Sequence, residues 1–362
     1  MLGTVYYFCR RFINLPKSYG KYVKNAVTYY PELPHKSKLK LWWDYAVWVL
    51  RTGDEGLFFR AYGFDIKGHK ADPNVFIDED FFWHKIVPLA YKGNANYAVV
   101  LRDKCLFDMY MRAFEISSPQ LLAYANESGF YVNGKKFAFV DWISHISSNY
   151  KEFFLKGTMS CCGRDVWHVV VKDGKMTSGG KPFEPTEEML SGQKLVVQQK
   201  ICNCREIANI NPYAVSTVRM VTVMGRKSGE PELLCPGYIR IGCVKESSVD
   251  NLCAGGVGVG IKADGTLMQY GLFKPWIGKL KCYEHPISGV KFDGFRLPFY
   301  KEACELVKRA HRALPNVPTI GWDVAITDEG PTLIEGNENW EISGVQIPHG
   351  GVKQRMMELL EA

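Results

Sequence analysis

This sequence of 362 residues predicts a mixed α/β fold behind a helical N-terminal segment, and three observations carry the prediction. From about residue 97 onward strand-like runs alternate with helix-like ones, the pattern of a mixed architecture. Residues 1 to about 95 differ in texture: they are rich in aromatics and lysine, and their apolar residues recur with a helical period. Near the C-terminus two short runs, 321–326 and 332–337, flank Thr327-Asp328-Glu329-Gly330, which has the composition of a tight turn between two strands. A hydrophobic fraction of 46% with 23% charged residues is enough to build an ordinary globular core.

In the N-terminal segment, apolar residues at 39, 42, 43, 46, 47 and 50 follow the period of an amphipathic helix. Two uses of that stripe stand open. It packs against the main body, or, because Lys36, Lys38 and Lys40 sit beside the tryptophans, it contacts a membrane surface or a partner. A further helix is expected over 78–91, ended or kinked by Pro88. Next come a strand at 97–101 and a helix from Asp103, its cap, to about Glu115, with Lys104 in the first turn. A strand at 137–140 precedes a helix at 141–149, and a short apolar strand at 153–156 ends in Lys156. A loop of small residues at 157–165 leads to a strand at 166–171 and a turn at Lys172-Asp173-Gly174. A short helix at 186–192 and a buried strand at 195–199 follow.

Alternation over 216–224 puts Thr217, Arg219, Val221 and Val223 on one face, where an arginine needs an anionic partner. Gly and Val alternate through 255–261, as in a strand whose glycine face permits close approach. No helix pattern follows to make it a dinucleotide fingerprint. The clearest helix runs over 299–314 and is stopped by Pro315.

Composition narrows the function classes. A net charge of +7 suits an anionic nucleotide, an acidic substrate or a membrane surface. Nucleic acid is disfavoured, since no basic block interleaved with aromatics stands out. Eleven cysteines include no C-x₂-C pair of the structural-zinc kind, and an odd count fits reduced thiols. The apolar start of the chain is too short for a signal h-region, and no window approaches the roughly 20 apolar residues of a membrane span. The expectation is a soluble, cytoplasmic protein.

The C-terminal pair of strands carries the chemistry. Glu335 and Asn337 are two residues apart and share a face, and antiparallel pairing brings Asp323 beside them. Three oxygen-bearing side chains without Cys or His suit a hard cation such as Mg²⁺, which shares its shell with substrate phosphates. On spacing alone an ordinary acidic surface hairpin fits equally well. A triphosphate over this floor needs cations and backbone donors opposite. Lys156 offers a point charge, the 157–165 loop offers N–H groups, and Lys104 and Arg219 offer further charge. Cys161 and Cys162, in that loop, read as small loop residues.

The order of these pieces resembles an ATP-grasp enzyme, and within that superfamily the sugar-transfer-associated group found among surface-polysaccharide genes. The residues carrying the resemblance are Asp103-Lys104, Phe154-Leu155-Lys156, Val197-Gln198-Gln199-Lys200, Ser216-Thr217-Val218-Arg219, Val249-Asp250-Asn251, Gly321-Trp322-Asp323 and Leu333-Ile334-Glu335-Gly336-Asn337. It spans about 97–350. It implies an α+β fold in which two subdomains hold a nucleotide between them. Residues 1–95 would be the helical leader, 96–200 the N-terminal and lid subdomains, and 201–362 the catalytic subdomain.

The resemblance also implies roles. Lys104 and Lys156 contact the ATP phosphates, and Gln198, Gln199 and Lys200 form the adenine hinge. Glu206 takes the ribose hydroxyls, and Arg219 stabilises the γ-phosphate or an acyl phosphate. Asp323, Glu335 and Asn337 hold Mg²⁺. Asp250, Asn251 and His349 are candidates to line the acceptor site, with Trp340 and Glu341 beside them; His349 is placed in a turn. Two features depart from the pattern: the loop has only Gly163 inside it, and Gly321 stands where many relatives carry an arginine, leaving Arg219 or Arg240 to supply that charge. The implied activity is ATP-dependent joining of a small carboxylate to an amine through an acyl phosphate, with an amino acid and a sugar as one pairing. The alternatives are a kinase of the same fold acting on a hydroxyl and a non-catalytic partner of a glycosyltransferase.

Overall fold

The computed structural model describes residues 2–92, 95–159, 166–245 and 252–362, without the side chains of residues 2–10 and 92. Two eight-stranded antiparallel sheets dominate it. The first runs in the order Lys135–Phe137, Gly129–Val132, Leu121–Asn126, Leu195–Gln199, Glu152–Gly157, Val166–Lys172, Lys175–Ser178, Lys181–Pro182. Alternation sorts its two faces. Phe153, Leu155, Val169, Leu195 and Val197 form a core with Trp142 and Ile146 of the helix Phe139–Asn149. Phe154, Lys156 and Gln198 therefore point the other way.

The second sheet runs in the order Lys281–Cys282, Leu267–Leu272, Val257–Ile261, Tyr238–Ile241, Thr217–Met224, Thr319–Thr327, Gly330–Asn337, with Pro231–Leu233 also pairing Thr217–Met224. Its back face buries Val218, Met220, Trp322, Val324 and Leu333 against Ala303, Leu306, Val307 and Ala310 of the helix Tyr300–Arg312. Three polar side chains within this core satisfy one another and the backbone. Trp322 Nε1 donates to Thr222 Oγ1 at 2.8 Å, Thr222 donates to His311 Nδ1 at 2.7 Å, and His311 Nε2 donates to the Val317 carbonyl at 2.7 Å. Burial holds His311 neutral, its pKa lowered to about 4. Part of the front face packs through Val221, Val223 and Tyr238 onto Ile77, Phe82, Trp340, Ile342 and Met356.

The sheets meet across a seam. Leu333 N–H donates to the Ser117 carbonyl at 2.9 Å, and Cys204 N–H donates to the Ile326 carbonyl at 2.8 Å. The Lys104 N–H reaches the Thr158 carbonyl at 2.9 Å, so the start of the helix Lys104–Ala113 is pinned to the end of a first-sheet strand. Asp103 caps that helix as expected, its Oδ1 accepting from the N–H groups of Cys105 and Leu106.

Three expectations need correction, and one hairpin is added to them. The strand expected at 137–140 is Lys135–Phe137, and Phe139 and Val140 already belong to the helix Phe139–Asn149. Residues 97–101 do not form a strand. Asn96 Oδ1 takes the Ala98 N–H, the Ala98 carbonyl takes those of Leu101 and Arg102, and the chain coils into the short helix Val99–Arg102. Local hydrogen bonding overrides the β preference of Val99 and Val100. The hairpin Leu121–Asn126 and Gly129–Val132 was not anticipated, although Ser128-Gly129 and Asn133-Gly134 are turn signals. Third, of the stripe at 39, 42, 43, 46, 47 and 50 only Ala46 is fully buried, and the helix Lys38–Thr52 packs instead through Leu41, Tyr45, Trp48 and Val49. Leu39, Trp42 and Trp43 face outward.

Candidate functional site

The front face of the second sheet builds the site from one row of residues. Register places Tyr238 opposite Arg219, Arg219 opposite Asp323, and Asp323 opposite Glu335, while Gly321 faces Asn337. The juxtaposition expected of Asp323, Glu335 and Asn337 is present. A bulge sharpens it, since the pairing steps from Asp323–Glu335 to Val324–Leu333 with Ile334 as the extra residue. Glu335 and Asn337 are half-buried, and Asn337 Nδ2 donates to Glu335 Oε1 at 3.3 Å.

Asp323 is 1% exposed and carries the arginine partnership that the alternation of 216–224 required. Arg219 Nε donates to its Oδ1 at 2.5 Å and Arg219 Nη2 to its Oδ2 at 3.1 Å; Arg240 Nη2 lies 2.8 Å from Oδ2. Although burial alone would raise the Asp323 pKa, these two guanidinium groups hold it well below the ordinary carboxylate range. Glu335 shifts the other way, raised by burial and then by the charge of Asp323. A divalent cation between the two carboxylates would relieve that repulsion. Among the described residues no group of three or more His, Cys, Asp or Glu forms a metal cage. Two carboxylates and an amide oxygen instead fit Mg²⁺, which keeps waters and substrate oxygens in its shell.

Gly321 has a steric reason to be glycine. A Cβ there would come within 2.3 Å of Trp340 Cβ. The positive charge near Asp323 therefore enters from Arg219 and Arg240 on neighbouring strands.

Across the seam, Lys156 projects from the first sheet. Its Nζ donates to Gln198 Oε1 at 3.3 Å and sits 5.0 Å from the centre of the Phe154 ring. Its pKa is lowered to about 8, by burial first and then by the like charge of Lys104, while Glu335 opposes the shift. Thr158 Oγ1, in the same corner, is buried without a hydrogen-bond partner among the described residues. A buried hydroxyl without an acceptor beside two lysines suits the oxygens of an anion.

The other expected residues are placed as follows. Gln198 is buried with its side chain on Lys156, and Gln199 is exposed with its N–H given to the Gln120 carbonyl. Lys200 pairs with Glu152 at 2.6 Å, and Glu152 also lies 2.6 Å from His168 Nε2. The His168 ring stacks on Phe154 with centroids 5.0 Å apart, an aromatic surface beside Lys156 that was not anticipated. Glu206 is exposed on the short helix Arg205–Ala208, immediately after the segment tied to Ile326.

His349 is not in a turn: it is the last residue of the helix Ile342–His349, and its Nε2 donates to the Gly237 carbonyl at 2.7 Å. Burial lowers its pKa, so it serves as a neutral donor to the backbone. Asp250, Asn251, Cys161 and Cys162 lie outside the described residues.

Two ion pairs were missed. Arg102 Nε donates to Glu338 Oε1 at 2.5 Å, and Arg102 also donates to the Tyr91 hydroxyl, joining the seam to the end of the Glu335 strand. Lys274, 4% exposed, donates to Ser343 Oγ at 3.2 Å and pairs with Glu341. Their signal was weak: adjacency of Arg102 to Asp103-Lys104, and of Glu338 and Glu341 to Asn337.

The family model described as sugar-transfer associated ATP-grasp matches residues 89–360. No curated protein matches the chain. Among solved structures, an ADP complex of N5-carboxyaminoimidazole ribonucleotide synthetase is similar at 9% identity and a TM-score of 0.43, over 72% of this chain and 51% of that one. Biotin carboxylase from Campylobacter jejuni, in a beta-gamma-ATP complex, gives 10% identity and a TM-score of 0.42, over 73% and 47%. D-alanyl-alanine synthetase A from Vibrio cholerae gives 11% and 0.38, over 72% and 60%. The chain thus spans roughly half the length of these proteins.

Proposed function

We propose, from the premise that this chain belongs to the sugar-transfer associated ATP-grasp family, that it is an ATP-dependent, ADP-forming ligase. It joins a small carboxylic acid to an amine, one pairing being an amino acid and a sugar, in the assembly of a surface polysaccharide. The observation that carries the reading is the meeting at the seam: the Lys104 N–H is tied to the Thr158 carbonyl, two residues from Lys156 on one sheet, and the row of Arg219, Asp323 and Glu335 lines the other. Cations on one side and acidic oxygens on the other are what a metal-bound triphosphate requires. In this reading 96–200 supplies the N-terminal and lid subdomains, 201–362 the catalytic subdomain. The reaction belongs in the cytoplasm, and the eight free cysteines among the described residues suit its reduced thiols.

Lys104 and Lys156 hold the phosphates, and the orphaned Thr158 hydroxyl gains an acceptor there. The stacked Phe154–His168 surface and the Gln198-Gln199-Lys200 hinge lie on the adenine side, with Glu206 toward the ribose. Asp323, Glu335 and Asn337 would hold Mg²⁺, which when bound neutralises charge on the phosphoryl oxygens. Arg219, with two donors committed to Asp323, is a positioning residue that keeps the carboxylate ionised and aimed.

A carboxylate oxygen of the acid attacks the γ-phosphorus, and the bond to ADP breaks. The amine nitrogen then attacks the acyl carbon and loses its proton as phosphate departs. Positioning and charge neutralisation suffice, and no side-chain nucleophile is needed.

With a suitable acid, ADP release in hydroxylamine should yield a hydroxamate, since only an acyl phosphate is trapped that way. ADP release giving a stable phosphoester and no hydroxamate would transfer the site to a kinase.

Protonation of Lys156 adds a pH prediction. A folded pKa of about 8, below the ordinary lysine value of 10.5, means that the unfolded chain binds more protons between those pH values. Through this group the ligand-free protein gains stability as pH rises through that window. Phosphate binding favours the charged lysine, so Mg-ATP affinity should fall several-fold from pH 7 to pH 9, and Lys156→Arg should flatten the decline. Calorimetric titration at both pH values measures it; equal slopes for the two proteins would contradict the assignment.

A further inference from the structure

The whole formal charge of the protein resides in its first 52 residues. They contain nine Lys/Arg against two Asp/Glu, while the remaining 310 residues hold 36 of each. The same segment exposes large apolar side chains: Leu39 is 80% exposed, Trp43 60% and Trp42 38%. Spaced at 39, 42 and 43, they form one outward face at the start of the helix Lys38–Thr52, whose opposite face is fully packed. An exposed face of this kind is the informative observation, since these residues have no core to join.

Some of these basic residues lie toward the same end. The helices Leu2–Tyr19 and Lys38–Thr52 are antiparallel, with Tyr19 against Tyr45 at 5.4 Å and Arg11 alongside Gly53. The π-helical segment that continues the first helix, Gly20–Lys24, runs toward the start of the second: Arg60 Nε donates to the Val23 carbonyl at 2.8 Å and pairs with Asp65, which lies 3.5 Å from His35. Lys21 and Lys24 on that segment are exposed, as is Lys38 at the start of the second helix. The segment is fastened to the second sheet: the Tyr29 hydroxyl donates to the Phe273 carbonyl at 2.8 Å, and Lys281 pairs with Glu32 at 2.8 Å.

We propose that this end of the N-terminal segment, with Leu39, Trp42 and Trp43 inserted and Lys21, Lys24 and Lys38 around them, docks the protein on an anionic lipid surface. Tryptophan belongs at the level of lipid headgroups, and lysines bind the negative leaflet beside it. Two weak signals together give stable but reversible attachment. No helix among the described residues is long and apolar enough to cross a membrane, so the attachment is to one face. It stands apart from the nucleotide reading.

Co-sedimentation of the full chain with phosphatidylcholine vesicles, with and without phosphatidylglycerol, tests it. Binding is expected only with phosphatidylglycerol and should weaken in high salt. Lys21→Glu/Lys24→Glu/Lys38→Glu should weaken it about tenfold or more. Leu39→Ser/Trp42→Ser/Trp43→Ser should abolish it, with the urea unfolding midpoint kept as a check on the fold. Equal binding to both vesicle types, no binding to either, or undiminished binding of the serine variant would overturn the proposal. So would a concentration-dependent dimer that the serine variant abolishes, since that face would then join two copies of the chain.

Discussion

Asp323→Ala is expected to destabilise the protein by about 3–5 kcal/mol, the cost of leaving buried charges without their counter-ion. Arg219 is 6% exposed and gives Asp323 two hydrogen bonds, and Arg240 contributes a third contact at 2.8 Å. Removing the carboxylate leaves both guanidinium groups facing each other in the middle of the second sheet. A loss of that size consumes a large part of the stability of an ordinary domain, so the variant should accumulate poorly and unfold at much lower urea. Wild type should also lose stability on acidification. Because the Asp323 pKa is depressed in the folded state, its contribution is full above the ordinary carboxylate pKa and disappears as pH falls below it. Urea unfolding of both proteins checks this. An unchanged midpoint for Asp323→Ala would mean that the two arginines find other partners and that Asp323 is not the anchor of the row.

Glu335→Gln should separate function from fold. Glu335 stands directly across from Asp323, and burial together with that like charge raises its pKa. A neutral amide of the same shape removes the repulsion, so the ligand-free variant should be at least as stable as wild type. The same change deletes an anionic oxygen from the metal floor. Turnover should then drop by roughly 10²–10³-fold, the scale seen when one stabiliser of developing charge is lost. ADP release and urea unfolding measured side by side provide the check. Wild-type activity in this variant would refute the metal assignment.

Much of this site was legible because strands expose their logic in a two-residue period. Glu335 and Asn337 had to share a face, and Arg219 within an apolar strand had to have an anion opposite; the register supplies Asp323 for both. The capping aspartate at 103 announced the helix that brings Lys104 to the seam. What stayed hidden depends on tertiary contact. Val99 and Val100 read as strand until Asn96 and the carbonyl of Ala98 coil them. The stripe at 39, 42 and 43 has a perfect helical period yet turns outward, because periodicity reports a face without saying what covers it. The packing of Trp340 over Gly321, and the pairs of Arg102 with Glu338 and Lys274 with Glu341, join residues far apart in sequence, which a one-dimensional reading has no means to align.

The most direct test of the nucleotide site is a calorimetric titration of the wild-type protein with ATP, with and without Mg²⁺. Saturable one-site binding is predicted, tightened by Mg²⁺ and lost in Lys104→Ala/Lys156→Ala. No detectable heat, and no thermal stabilisation by Mg-ATP at millimolar concentration, would contradict the account.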